Sequence, residues 1–185
     1  MPDILTHSLA TEGVRLAPAP AMYRWSVRVH PEQRSALEAL LELTLPTQPL
    51  RSFSGGSSNA LWLGPDEWLV LTSPAEGESF RKRCESFDGS TAPPASVVEV
   101  TNRNVGIVLS GPRASWVLNA ACPLDLSAQA FPPGACTRTL LGKAEIVLWR
   151  QERTEPAFHL ECWRSYAPYV TALLERAVKF EGLLR

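Results

Sequence analysis

A chain of 185 residues with 18 basic and 19 acidic side chains has a net charge near zero, which gives no electrostatic footing for a nucleic-acid or anionic-membrane partner. It is long enough to bury a core without staples. Its four cysteines, Cys84, Cys122, Cys136 and Cys162, form no C-x-x-C pair, which argues against zinc and thioredoxin-like sites and for reduced, mostly buried thiols in a cytoplasmic protein.

Residues 1–21, rich in Ala, Pro and Thr and without periodicity, are expected as an extended N-terminal arm. With Asp3 and Glu12 and no long apolar run, this stretch matches neither a signal peptide nor a membrane span. The rest, 22–185, reads as one two-lobed domain with lobes near 22–101 and 102–185. Trp25, Val27 and Val29 alternate with Ser26, Arg28 and His30 as in a half-buried strand. Pro31 opens a helix over 31–43 with Leu37, Leu40 and Leu41 on its apolar face. Pro46, Pro49 and Gly55-Gly56 mark 44–58 as a loop, and Ser54-Gly55-Gly56-Ser57-Ser58 lacks the lysine of a phosphate cradle. A tight hairpin over 60–71 turns at Gly64-Pro65-Asp66-Glu67, and Ser73-Pro74-Ala75-Glu76 fits a capping box for a helix over 74–87. A Pro-Gly-Ser connector, 88–96, leads to a strand over 97–101.

The order of elements then repeats. Strand 105–109 with helix 112–121 matches strand 25–30 with helix 31–43, and hairpin 144–163 with helix 165–179 matches hairpin 60–71 with helix 74–87. Trp116, Val117, Ala120 and Ala121 fall at helical spacing, and the last helix carries a stripe of Tyr166, Tyr169, Val170, Leu173, Leu174 and Ala177, expected as core. Duplicated β-α-β-β-α halves predict an α+β fold of antiparallel sheets with packed helices.

No catalytic, cofactor-binding or metal-binding residue is assigned. His159 and Glu161 share a strand face, but two ligands do not make a metal site, and they are expected as an ordinary exposed pair. The Asp66-Glu67 pair is explained by turn chemistry, and the chain has no G-x-S-x-G elbow. Six tryptophans are more than a core needs. On alternating strands at least one of Trp62, Trp149 and Trp163 should face outward. With Arg103, Arg138 and Arg164 they make a candidate subunit interface, since exposed Trp and Arg suit interface centres. Arg150 could serve the same end.

Several stretches in one order resemble a known family: Leu63-Gly64-Pro65-Asp66-Glu67-Trp68-Leu69, Ser110-Gly111-Pro112-Arg113-Ala114, Asn119-Ala120-Ala121-Cys122-Pro123-Leu124-Asp125-Leu126, Phe131-Pro132-Pro133-Gly134, and Arg138-Thr139 through Glu145-Ile146-Val147-Leu148-Trp149. They are similar to the gamma subunit family of heterotetrameric sarcosine oxidase over roughly residues 23–180. The resemblance implies a fold similar to the folate-binding aminomethyltransferase domain and a structural, assembly role beside alpha, beta and delta subunits. It also implies FAD, FMN, NAD and tetrahydrofolate held by partners, with none on this chain. The complex would demethylate sarcosine to glycine, yielding hydrogen peroxide and formaldehyde or 5,10-methylenetetrahydrofolate. The alternative is a free-standing folate-dependent aminomethyltransferase-like protein. In that family the catalytic aspartate aligns near Cys122, with Asp125 three residues late. A related folate-binding family with a Lys-Gly-Cys-Tyr-x-Gly-Gln-Glu signature is matched at 133–139 only by Cys136.

Overall fold

A computed structural model describes residues 7–85 and 94–183; most of the connector expected at 88–96, and Phe87, lie outside them. Two compact units divide the chain, one of Ala21–Thr101 and one of Asn102–Arg185 together with Met1–Pro20. Among the described residues no helix is long and apolar enough to cross a membrane.

In chain order the second unit begins with two short strands, β1 (Leu9–Ala10) and β2 (Arg15–Pro18). The first unit follows. Its β3 (Tyr23–Val29) keeps the expected alternation, and Pro31 opens a 3-10 turn that passes into α1 (Arg34–Leu41). This helix stops where Glu42 takes a left-handed conformation at φ 52°, and the Glu38 side chain accepts the Leu45 N–H at 2.7 Å. Next come β4 (Ser52–Gly55), β5 (Ser58–Gly64), β6 (Glu67–Thr72), α2 (Pro74–Glu85) and β7 (Ala95–Glu99). Ser73 caps α2 by accepting the Glu76 N–H at 3.3 Å, while the Glu76 carboxylate pairs with Arg83. The strands form one antiparallel sheet in the order β4-β5-β6-β3-β7. Its core packs Trp25, Val27 and Trp68 against Leu37, Leu41 and Phe80 from the helices.

The second unit continues with β8 (Asn104–Ser110), α3 (Ala114–Asn119), β9 (Cys136–Leu141), β10 (Ala144–Arg150), β11 (Ala157–Trp163) and α4 (Ala167–Leu183). Its antiparallel sheet runs β1-β2-β8-β11-β10-β9. Ile107, Leu109, Leu148, Phe158 and Leu160 pack against Leu118, Val170 and Leu174. Burying each such side chain stabilises the fold by about 1.5–3 kcal/mol.

The α+β architecture is as expected, but each half reads β-α-β-β-β-α, one strand longer than the predicted repeat. The two additions, β4 and β9, are equivalent edge strands. An edge strand with one solvated face needs no apolar run, so Ser52-Phe53-Ser54-Gly55 looked like a loop and Cys136-Thr137-Arg138-Thr139 was assigned no element. Gly56, at φ 57°, makes the two-residue turn between β4 and β5. Both halves order these strands first, fourth, third, second: β3-β6-β5-β4 and β8-β11-β10-β9.

The segment expected as an arm instead carries strands, for β2 pairs with β8 from Arg15↔Ser110 to Pro18↔Ile107. Likewise β7 pairs with β3. Residues 19–22 link β2 to β3 and residues 100–103 link β7 to β8, four residues each time. The strand added beside the first strand of each half, β2 on β8 and β7 on β3, is therefore the one that precedes, in sequence, the first strand of the other half.

Two helical faces differ from expectation. On α3 the buried positions are Ala114, Val117 and Leu118, while Trp116 is exposed. On α4 they are Ala167, Val170, Thr171, Leu174, Val178 and Glu181, so the stripe is rotated and Tyr166 and Tyr169 lie on its rim. Small Ala167 lets the helix approach the sheet. The Tyr169 hydroxyl reaches out to accept the Lys143 N–H at 3.1 Å.

Candidate functional site

The second sheet has a helix-covered face and an opposite face, and most of the candidate residues belong to the latter. Side chains alternate along a strand, so Cys136, Arg138 and Leu140 on β9 point away from the core that holds Leu141. Cross-strand register then builds rows on that face. The inner row is Cys136, Trp149, His159 and Val108, and the middle row Arg138, Val147, Glu161 and Gly106. At the outer end Leu140 faces Glu145 on β10, and Trp163 faces Asn104 on β8.

The inner and outer rows differ in chemistry. Trp149 is 4% exposed, tilted against His159 with ring centroids 5.9 Å apart, and among the described residues its indole N–H has no hydrogen-bond partner. His159 Nε2 and Glu161 Oε1 lie 2.7 Å apart, both side chains buried. The expectation of an exposed pair is therefore corrected. Polar residues at alternate positions suggest a solvent face, but β11 is interior to the sheet and buried on both faces, and the pair satisfies itself by direct contact.

Outward of this lie exposed residues. Trp163 is 50% exposed and Leu140 48%, and the Trp163 and Tyr166 rings sit 6.2 Å apart at 31°. Together with Lys143 and Glu145 they line a hollow of about 200 Å³. Arg103 and Arg164 border this end of β8 and β11. The Arg164 N–H donates to the Arg103 carbonyl at 2.8 Å, Arg164 Nε to the Asn102 carbonyl at 3.1 Å and Arg103 Nε to Asn104 Oδ1 at 3.2 Å.

Of the six candidate interface residues, Arg103, Trp163 and Arg164 gather at this end, and Arg138 is exposed one row inward, 3.8 Å from Glu145. Trp149 is buried in the inner row, and Trp62 is half-buried on β5 opposite Trp68 in the first unit. Arg150 is buried too, donating to the Phe131 carbonyl at 2.8 Å and so pinning the loop before β9. Leu140 was given no role from the sequence, and Tyr166, expected as core, is 43% exposed here. The one signal for Leu140 is an apolar residue in the register of Arg138, on a face otherwise read as polar.

The positions where transferase chemistry would fall have other roles. Cys122 is buried, and desolvation pushes its thiol above the usual range. The half-buried Cys84 is likewise pushed up, to about 11. Asp125 accepts the Ser127 N–H at 2.9 Å in an exposed turn, a bond that holds its carboxyl below the usual range. Among the described residues no three His, Cys, Asp or Glu side chains converge as a metal site would need.

Comparison with known proteins gives this geometry a context. The model described as "Sarcosine oxidase, gamma subunit family" matches residues 28–179. The chain is 33% identical over 117 residues to sarcosine oxidase subunit gamma of Arthrobacter sp, covering 63% of this chain and 56% of that one. It is 34% identical over 90 residues to the subunit of the same name from Corynebacterium sp. strain P-1, covering 49% and 42%. The chain thus spans about half the length of these relatives. In fold it is similar to a chain of the heterotetrameric sarcosine oxidase from Corynebacterium sp. U-96, solved with pyrrole 2-carboxylate, at TM-score 0.80, 24% identity and coverage of 95% of this chain and 89% of that one. It is also similar to the glycine cleavage system aminomethyltransferase T from Bartonella henselae, at TM-score 0.61 and 16% identity over 88% of this chain and 45% of the other. Matched by the family model from residue 28 to residue 179, the chain belongs to the sarcosine oxidase gamma subunit family.

Proposed function

We propose that this chain is the gamma subunit of a heterotetrameric sarcosine oxidase and that its contribution is a surface for assembly. In this role it packs against alpha, beta and delta subunits in the cytoplasm, and those partners hold FAD, FMN, NAD and tetrahydrofolate. The complex oxidises sarcosine to glycine with release of hydrogen peroxide and of formaldehyde or 5,10-methylenetetrahydrofolate. The observation that carries this function is the family match across residues 28–179. The local chemistry supports it, because a buried thiol occupies the position nearest the transferase aspartate, and Asp125 is spent on a turn. Arg103, Arg138, Trp163 and Arg164 are the residues proposed for the interface. Trp62 and Trp149, also candidates, are more enclosed in the isolated chain.

Purifying the tagged chain from its host tests this. Two larger subunits carrying flavin and a small fourth subunit are expected to come with it. A chain that emerges alone from cells actively oxidising sarcosine overturns the assignment.

A further inference from the structure

We propose that the hollow between Leu140, Trp163 and Tyr166 receives a single apolar side chain from a partner subunit, on a segment whose flanking residues are acidic. The proposal rests on the assembly role above and adds the chemistry of the contact. The hollow is built by three adjacent strands and the turn that enters α4, so its walls are fixed by the sheet. The Trp163 and Tyr166 rings, inclined at 31°, form an open wedge and leave each other 50% and 43% exposed. Elsewhere on this unit Trp116 and Phe180 are about as exposed, at 43% and 56%, but their rings are nearly parallel, at 8°, beneath the Arg113 guanidinium and open no wedge.

Size and charge choose the occupant. At about 200 Å³ the hollow is smaller than the roughly 300–1,000 Å³ of small-molecule sites, which suits one side chain better than a cofactor. Lys143 lines it, Arg103 and Arg164 lie beside Trp163 at the adjoining ends of β8 and β11, all three are exposed, and among the described residues none of the three pairs with a carboxylate; the lining carboxylate, Glu145, lies 3.8 Å from Arg138. Each arginine uses its Nε–H on a neighbouring oxygen, which sets the plane of the guanidinium and leaves its terminal N–H groups for an incoming carboxylate. The chain as a whole has a charge of −1, so the positive rim is local. Three cations beside an aromatic wedge whose own carboxylate, Glu145, faces Arg138 do not trace a phosphate backbone. They match an acidic peptide with an apolar anchor, the composition of an interface centre with a charged rim.

The test is co-purification of the complex through the tagged full-length chain as wild type, Trp163→Ala, Trp163→Phe, Arg103→Glu with Arg164→Glu, and Trp116→Ala. Partner subunits are quantified by mass spectrometry, and the fold of each variant is checked by its melting temperature. Trp163→Ala and the double charge reversal are expected to lower retained partner at least about tenfold, Trp163→Phe to restore most of it, and Trp116→Ala to change nothing. Photo-crosslinking from Tyr166→p-benzoylphenylalanine is expected to label a partner peptide with carboxylates beside an apolar residue. Failure of the wild-type chain to retain partners would sink the assembly role itself. Equal retention by wild type, Trp163→Ala and the charge reversal, or a crosslink to a basic peptide or to nucleic acid, would overturn this contact alone.

Discussion

β6 and β11 hold the same place in their sheets, each between the first and third strands of its half. Toward the helices both are apolar, with Trp68 and Val70 on β6 and Phe158, Leu160 and Cys162 on β11. Toward the other face β6 buries Leu69 and Leu71, whereas β11 buries His159 and Glu161 and ends on exposed Trp163. The two halves share their wiring and one apolar core face, while their opposite faces differ in chemistry. The leucines stabilise by about 1.5–3 kcal/mol each. The His159–Glu161 contact adds little net stability and instead penalises any arrangement that separates its buried polar groups.

The largest expected effects come from separating that pair. Glu161→Leu or His159→Leu should each cost about 3–5 kcal/mol in urea unfolding, because the remaining polar group stays buried. The double variant should cost less than the sum, with a coupling of about 0.5–3 kcal/mol. Strict additivity would mean that the two residues act independently and that the contrast with Leu69 and Leu71 has no energetic content.

Two tryptophans sharpen the same contrast. Trp68, 1% exposed and donating its indole N–H to the Pro46 carbonyl at 2.8 Å, should cost about 3–5 kcal/mol as Trp68→Ala. Trp163→Ala should cost less than about 1 kcal/mol of the chain's own stability and show its effect in assembly. A large loss of melting temperature in Trp163→Ala, with unchanged assembly, would make it a core residue.

Two turns come next. Gly111, at φ 122°, would place a β-carbon 2.5 Å from the Gly13 carbonyl oxygen, so Gly111→Ala should cost about 3 kcal/mol. Gly56 in the first unit has φ 57° and nothing within 4 Å of that position, and Gly56→Ala should cost about 1 kcal/mol. Equal costs in chemical denaturation would show that the close passage of β8 past residue 13 carries no load.

The smallest effect is on pH dependence. The Tyr23 hydroxyl donates to the Glu78 carboxylate and holds it below the usual range, as the Ser127 N–H does for Asp125. Carboxyls whose pKa is lower when folded stabilise above their unfolded value, about 4, and lose that contribution as pH falls through the folded value. Glu78→Gln and Asp125→Asn should each flatten the acid side of a melting-temperature profile slightly, leaving neutral pH almost unchanged. The same bond raises Tyr23, so at the alkaline end its contribution is full below the unfolded value, about 10, and is lost as pH rises through the folded value. A steeper acid limb in Glu78→Gln would contradict this sign.

Much of the fold was legible because interior strands and helix starts leave local marks, such as the alternation around Trp25, Pro31 and the cap at Ser73. The strands β4 and β9 left none, since an edge strand is defined by what it pairs with and not by its own apolar content. The arm misled for a related reason: Arg15-Leu16-Ala17-Pro18 becomes a strand only because β8 lies beside it, about ninety positions along the chain. On the surface, Trp163, Arg103 and Arg164 could be suggested by residue type alone. That Trp149 is enclosed and Leu140 exposed depends on which row of the sheet each occupies, a fact of register that composition does not record. The burial of His159 and Glu161 is likewise a property of strand position.

The fold is similar to that of an aminomethyltransferase, and the work proposed for the chain lies at its surface. Titration calorimetry of the purified chain with tetrahydrofolate tests this most directly. No saturable heat is expected, and a micromolar or tighter dissociation constant would contradict it.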